Sequence, residues 1–185
     1  MGSNKALLEF SGEPLVARQV RLLGEAGFVP TILGQPGLYE KFSALVLPDE
    51  VAGLGPLGGI VTALARSASD WNLILAVDLP YLTPEWLRAL ARRAGASDFA
   101  DVVIPRSDRG LEPLSAVYHH RALPVLRAAL AAGVRKVTDA LDYPPGCRLL
   151  EISPEEWNRI AAEPRLFENI NTMADYRKAV SGGRS

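Results

Sequence analysis

What most restricts the fold of this chain is the alternation of two hydrophobic periods along it. Residues 29–33, 44–47 and 73–77 are apolar runs rich in branched aliphatic side chains, each too short to stand as a helix, and they read as buried strands. Between them, residues 14–26 place Leu15, Val16, Val20, Leu22 and Leu23 near one helical face, and residues 57–68 repeat Ile60, Val61, Leu64 and Ala65. A third helix is predicted to open at Thr83, whose hydroxyl can cap it. Pro84 then takes the first helical position, Glu85 meets the positive end of the dipole, and the helix runs to Ala94. Such alternation predicts the α/β class: a mostly parallel sheet sandwiched by helices, with a ligand crevice beyond the carboxyl ends of the strands.

After Ala94 the order changes. Residues 102–105 and 114–118 read as two strands joined by a polar loop over 106–112, followed by an amphipathic helix over 122–132, so mixed sheet topology is expected. Gly133 ends that helix, residues 136–141 add a turn, 148–152 a further strand, 174–180 a terminal helix and 181–185 a frayed tail. No internal repeat or linker divides the chain, and residues 1–185 are taken as one domain.

Composition narrows the function classes. With 48% apolar and 22% charged residues the chain can bury a sizeable core. Twenty basic against twenty-one acidic side chains leave a net charge of −1, so no broad field draws it to nucleic acid or to an anionic membrane. No run approaches the roughly 20 apolar residues that cross a bilayer. Cys147 is the single cysteine, which removes a disulfide framework or zinc cluster, and no secretory signal follows Met1. A cytoplasmic, monomeric protein is expected.

Several short segments could carry chemistry. Gly2 and Lys5 stand before an apolar segment, where backbone amides and an ammonium could meet phosphate. Asp49 follows the second strand, and Gly53-Leu54-Gly55-Pro56-Leu57-Gly58-Gly59 leads into a helix, where glycines permit close backbone approach and the helix amino end favours negative charge. Asp78 follows the run 73–77, so its carboxylate lies where a nucleotide-bound magnesium ion would be expected. Asn169 and Asn171 have strand spacing and point the same way. Each also has an ordinary structural reading: Lys5 as a solvated charge, Asp49 and Asp78 as turn or cap residues, the glycines as a tight turn. His119 and His120 lack zinc spacing, Trp71, Trp86 and Trp157 read as packing, and Cys147 as structural.

In order along the chain, Met1-Gly2-Ser3-Asn4-Lys5-Ala6-Leu7-Leu8, Gly12-Glu13-Pro14-Leu15, Pro48-Asp49, Gly55-Pro56-Leu57-Gly58-Gly59-Ile60, Val77-Asp78-Leu79-Pro80, Glu112-Pro113-Leu114 and Asn169-Ile170-Asn171-Thr172 resemble the molybdenum cofactor guanylyltransferases. The resemblance spans nearly the whole chain. It implies a Rossmann-like, three-layer α/β/α nucleotidyltransferase fold and magnesium-dependent transfer of GMP from GTP to the molybdenum-molybdopterin cofactor, releasing pyrophosphate. By the same resemblance Lys5 contacts the GTP phosphates and Asp49 binds the nucleotide. Asp78 holds magnesium beside GTP, Gly55 and Gly58 belong to the nucleotide pocket, and Asn171, with Asn169, lies near the active site. Transfer of another nucleotide, such as CMP to molybdopterin or a nucleotide to a sugar phosphate, and a non-catalytic nucleotide- or cofactor-binding module are the alternatives.

Two departures from the family pattern stand out. The pattern opens with an apolar strand and a Leu-Ala-Gly-Gly loop ending in Arg-Met-Gly, whereas this sequence begins at the Met-Gly. The first strand and the loop whose amides cradle the triphosphate are then missing, and a start codon assigned too late is the favoured explanation. A family asparagine after the second strand, which helps bind the nucleotide, is Gly34 here.

Overall fold

The computed structural model describes residues 4–48 and 53–170. A single 3₁₀ turn at Lys5–Leu7 leads into the two-residue strands β1 (Glu9–Phe10) and β2 (Glu13–Pro14), which pair antiparallel. Then follow α1 (Leu15–Glu25), β3 (Thr31–Leu33), a 3₁₀ turn at Glu40–Phe42, β4 (Leu45–Leu47), α2 (Gly55–Arg66), β5 (Trp71–Leu75) and α3 (Pro84–Gly95). The second half runs β6 (Val102–Ser107), β7 (Gly110–Leu111), β8 (Ser115–His119), a 3₁₀ turn at His120–Ala122, α4 (Leu123–Ala131), α5 (Val137–Leu141), β9 (Leu149–Ile152) and α6 (Pro154–Ala161). No helix among the described residues is long and apolar enough to cross a membrane.

The sheets are mixed, as the change of order after Ala94 predicts, but among the described residues only β3–β4 and β6–β9 pair parallel, so the sheet is less parallel than the alternation of strands and helices suggests. β8 lies antiparallel between β5 and β6, β9 pairs parallel with β6, and the short β7 folds back antiparallel on β6. It follows that β5, β6 and β9 run one way while β8 and β7 run the other. Among the described residues β3 and β4 pair parallel with each other as a separate two-stranded sheet.

Side-chain alternation sends successive residues to opposite faces and so builds three layers. Val103, Val117, Leu73 and Leu75 face a core made with α1, α3 and α6, containing Leu22, Trp86, Leu90 and Trp157. Val102, Ile104, Ala116, Tyr118 and Ile74 face the opposite core, with Ile60 and Leu64 of α2, Leu126 of α4 and Leu141 of α5. Residues 174–180, predicted as a terminal helix, lie outside the described residues.

The strand ends differ from expectation in ways that matter for the site. Leu33 and Leu47 end β3 and β4 as predicted, but Val29, placed in the first run, is 93% exposed and precedes a proline that has no N–H for pairing. The third run starts and stops two residues earlier than expected. β5 ends at Leu75, so Asp78 stands three residues beyond it, in the loop that crosses to α3. Thr83 caps α3 as predicted, its Oγ1 accepting from the Trp86 N–H at 3.2 Å. Residues 106–112 form the end of β6 and a hairpin to β7 in place of an open loop, and α6 was not foreseen.

Candidate active site

Lys5 and Asp78 are seventy-three residues apart in sequence and meet because their chain neighbours share one apolar cluster. Ala6 is buried with Val16 and Tyr39, and Val77 packs against that cluster together with Ile32, Phe42 and Val46. Packing Ala6 and Val77 into one cluster brings Lys5, one residue earlier, and Asp78, one residue later, within reach of each other. Lys5 Nζ lies 3.8 Å from Asp78 Oδ2, with the lysine side chain 45% exposed and the aspartate 17%. The turn that presents Lys5 is itself capped: Asn4 Oδ1 accepts from the Ala6 N–H at 3.2 Å and the Asn4 carbonyl from the Leu7 N–H at 3.0 Å.

The Asp78 loop is held at three consecutive carbonyls, each by a different donor. The Ile170 N–H donates to the Asp78 carbonyl at 2.9 Å, Gln19 Nε2 to that of Leu79 at 2.8 Å, and Arg18 Nε to that of Pro80 at 2.7 Å. Tying the loop's backbone oxygens from α1 and from the segment before residue 171 fixes the main-chain position from which the Asp78 side chain projects. Gln19 is buried, and its Oε1 has no partner among the described residues. Tyr81 extends the clamp: its ring meets the edge of Phe10 at 5.6 Å and lies under the Arg165 guanidinium at 4.0 Å, which also donates to its hydroxyl. Burial raises the pKa of that hydroxyl.

Three of the short sequence motifs converge here. The Leu114 carbonyl accepts from the Ala76 N–H at 2.8 Å, tying Glu112-Pro113-Leu114 to the end of β5. Glu112 Oε1 accepts from Ser107 Oγ at 2.6 Å and lies 3.4 Å from Arg109 Nη2. The same Arg109 nitrogen donates to the Phe167 carbonyl and reaches Asn169 Oδ1 at 3.4 Å. From Asn169 the chain passes directly to Ile170 and its bond to Asp78. Asp49 and Asn171 lie outside the described residues.

Gly55 and Gly58 stand at the start of α2, apart from these contacts. Gly55 has φ +65°, and among the described residues the helix it opens has neither a side-chain cap nor an acid in its first turn. Gly58 has a packing reason to be glycine, because a Cβ there would come 2.6 Å from Leu54 Cβ. Elsewhere the bland readings hold. Trp86 and Trp157 are buried, His119 meets Trp71 edge-on, and burial pushes the Cys147 thiol up to about 11, as for an unreactive cysteine.

Sequence reasoning missed Arg18, Gln19, Tyr39 and Arg109. A signal existed for Gln19, a lone amide between Leu15, Val16 and Leu22 on the apolar stripe of α1. The others act across 35 to 62 residues through contacts that no local pattern encodes. Among the described residues no group of three or more His, Cys, Asp or Glu side chains could hold a metal.

Comparison with known proteins gives this geometry a family. The model of the MobA-like NTP transferase domain matches residues 1–144. A probable molybdenum cofactor guanylyltransferase of Pelotomaculum thermopropionicum is 35% identical over 97% of this chain and 85% of its own length, and one of Methanothermobacter thermautotrophicus is 34% identical over 96% and 91%. Among solved structures, molybdopterin-guanine dinucleotide biosynthesis protein A of Archaeoglobus fulgidus superposes with a TM-score of 0.80 at 26% identity, over 97% of this chain and 90% of that one. With the match to the family model and relatives above 30% identity along most of its length, the chain belongs to the MobA-like NTP transferase family and is a nucleotidyltransferase.

Proposed function

We propose that the chain transfers the GMP moiety of GTP to the terminal phosphate of molybdenum-molybdopterin. The observation that carries this reading is the Lys5–Asp78 pair at the carboxyl end of β5, in a chain whose relatives are named for that reaction. An oxygen of the pterin phosphate attacks the α-phosphorus of GTP, a new P–O bond forms, the bond to the bridging oxygen breaks, and pyrophosphate leaves with the electron pair. No protein nucleophile is needed.

The protein's task is then positioning and charge neutralisation. Asp78 supplies a hard oxygen of the kind magnesium takes, one carboxylate alongside substrate phosphates and water, so the donor set fits that ion. When bound, magnesium supplies Lewis-acid neutralisation of the phosphate oxygens. Lys5 places an ammonium beside the same carboxylate, the two ion-paired at 3.8 Å, so that both charges stand where a polyphosphate and its cation would be met. Asp49 and Asn171 are assigned to the nucleotide, and Gly55 and Gly58 to the backbone that opens α2 beneath it.

Pyrophosphate release in the presence of molybdopterin, with GTP, CTP and UTP compared at equal magnesium, tests the reading. Magnesium-dependent release with GTP preferred is expected. A CTP preference would reassign the enzyme to cytidylyl transfer, and saturable GTP binding with no pyrophosphate from any nucleotide would make it a binding module.

A further inference from the structure

The Lys5 turn is held from outside by a residue with no assigned role. Asn4 Nδ2 donates to the Tyr39 hydroxyl at 2.9 Å, and that hydroxyl stands 3.2 Å from Asn4 Oδ1, the oxygen that caps the Ala6 N–H. One phenol thus meets both ends of the amide from which the Lys5 turn starts. Tyr39 is 9% exposed and shares its apolar cluster with Ala6 and with Val77, the neighbours of Lys5 and Asp78. Its ring lies against Gly34, where a Cβ would come 2.8 Å from Tyr39 Cε2 and 3.2 Å from Cδ2. Gly34 is not at liberty to retreat, because its N–H continues the β3–β4 pairing with a 2.9 Å bond to the Leu47 carbonyl. A side chain at position 34 would therefore have to displace the ring, and with it the hydroxyl that meets Asn4.

We infer that Tyr39 is a positioning residue for Lys5, and that glycine at position 34 is what lets the Tyr39 ring stand where its hydroxyl can orient the Asn4–Lys5 turn. This deepens the reading above and rests on it, since it presumes that Lys5 works on the triphosphate. The ring fills space and the hydroxyl sets direction, so the two roles are separable: Tyr39→Phe removes the second and keeps the first.

The test is a double-mutant cycle on the full chain, with pyrophosphate release and the melting temperature as readouts, using Tyr39→Phe, Lys5→Ala and both together. Losing the hydroxyl's neutral contacts with Asn4, which aim a catalytic ammonium, should lower kcat about fivefold, with the melting temperature nearly unchanged. In the Lys5→Ala background the same change should alter kcat less than about twofold, because no ammonium is left to aim. Gly34→Ala, an independent route to the same displacement, should show the same dependence on Lys5. A Tyr39→Phe effect of equal size in both backgrounds, or none in the parent, overturns the inference while leaving the role of Lys5 intact. If Lys5→Ala alone keeps the parental rate, the reading beneath it falls as well.

Discussion

Two aspartates at opposite ends of the same sheet show how differently this fold treats one side chain. Asp101 stands just before β6, at the amino end of the strands, and is 8% exposed. Its Oδ2 accepts from the Arg148 N–H and from Arg148 Nε, each at 3.0 Å, while Oδ1 accepts from Arg148 Nη2 at 2.8 Å and Arg121 Nε at 3.3 Å. The Arg148 hydrogen bonds are the largest influence holding its carboxyl down to about 2, against the opposing effect of burial. Asp78, beyond the carboxyl end of β5, meets an ammonium at 3.8 Å, and what is firmly bonded there is the backbone of its loop. At Asp101 the carboxylate is consumed in tying β6, β9 and the turn after β8 together. At Asp78 the protein fixes the carrier, and among the described residues the carboxylate meets the Lys5 ammonium. Saturated charge at the amino end and presented charge at the carboxyl end is the division of labour that open α/β sheets favour.

That division is broken most sharply by exchanging each carboxylate for its amide. Asp78→Asn should lower magnesium-dependent pyrophosphate release by on the order of 10²–10³, since a charge acting on the developing phosphate charge is lost. Its effect on stability should stay within about 1 kcal/mol, because a half-exposed ion pair contributes little. Asp101→Asn should do the reverse, costing about 2 kcal/mol in denaturant unfolding with kcat of the folded enzyme unchanged. Comparable stability losses from both substitutions, or a rate effect from the second as large as from the first, would mean that the two ends are not functionally distinct.

The same contrast explains what the sequence revealed. Asp78 could be read because it follows an apolar run, a local arrangement with a chemical meaning. Asp101 has the same local look in reverse, an acid before the run 102–105, and nothing in the spacing announces Arg148, forty-seven residues on, as its partner. Helices were legible where caps and stripes coincided, as at Thr83-Pro84-Glu85. The same signature, Ser153-Pro154-Glu155-Glu156, opens α6, with Ser153 Oγ accepting from the Glu156 N–H at 3.3 Å, but the apolar residues that follow it are too sparse to mark a stripe. The short β1, β2 and β7 pairings, and the loop clamp around Asp78, arise from tertiary contacts. They lie outside what periodicity can report.

Acid titration sharpens the contrast further. The folded pKa of Asp101 is depressed below its unfolded value near 3.8, so its contribution to stability is fully present above that value and is lost as pH falls toward about 2. Unfolding free energy followed between pH 5 and pH 2 should drop more steeply for the parent than for Asp101→Asn, by at most about 1.4 kcal/mol per pH unit from this one group. Parallel curves would show that Arg148 and Arg121 do not hold the carboxylate in solution as they do in the folded structure.

The smallest expected effect concerns the loop clamp, and it separates orientation from stability within a single side chain. Gln19→Leu keeps a buried side chain of similar length but removes the donor to the Leu79 carbonyl, so the Asp78 loop loses one of its three backbone ties. It also removes Gln19 Oε1, whose burial without a partner among the described residues carries a desolvation cost. The two consequences oppose each other in the folding equilibrium: an orphaned carbonyl destabilises and a deleted orphan oxygen stabilises, each by about 1–3 kcal/mol, leaving a net change near zero. They do not oppose each other in the rate, where only the looser carboxylate counts, and kcat should fall about fivefold for roughly 1 kcal/mol of lost orientation. A melting temperature within a few degrees of the parent together with that fall in kcat would place Gln19 on the functional side of the division, whereas a large loss of stability with kcat unchanged would place it beside Asp101.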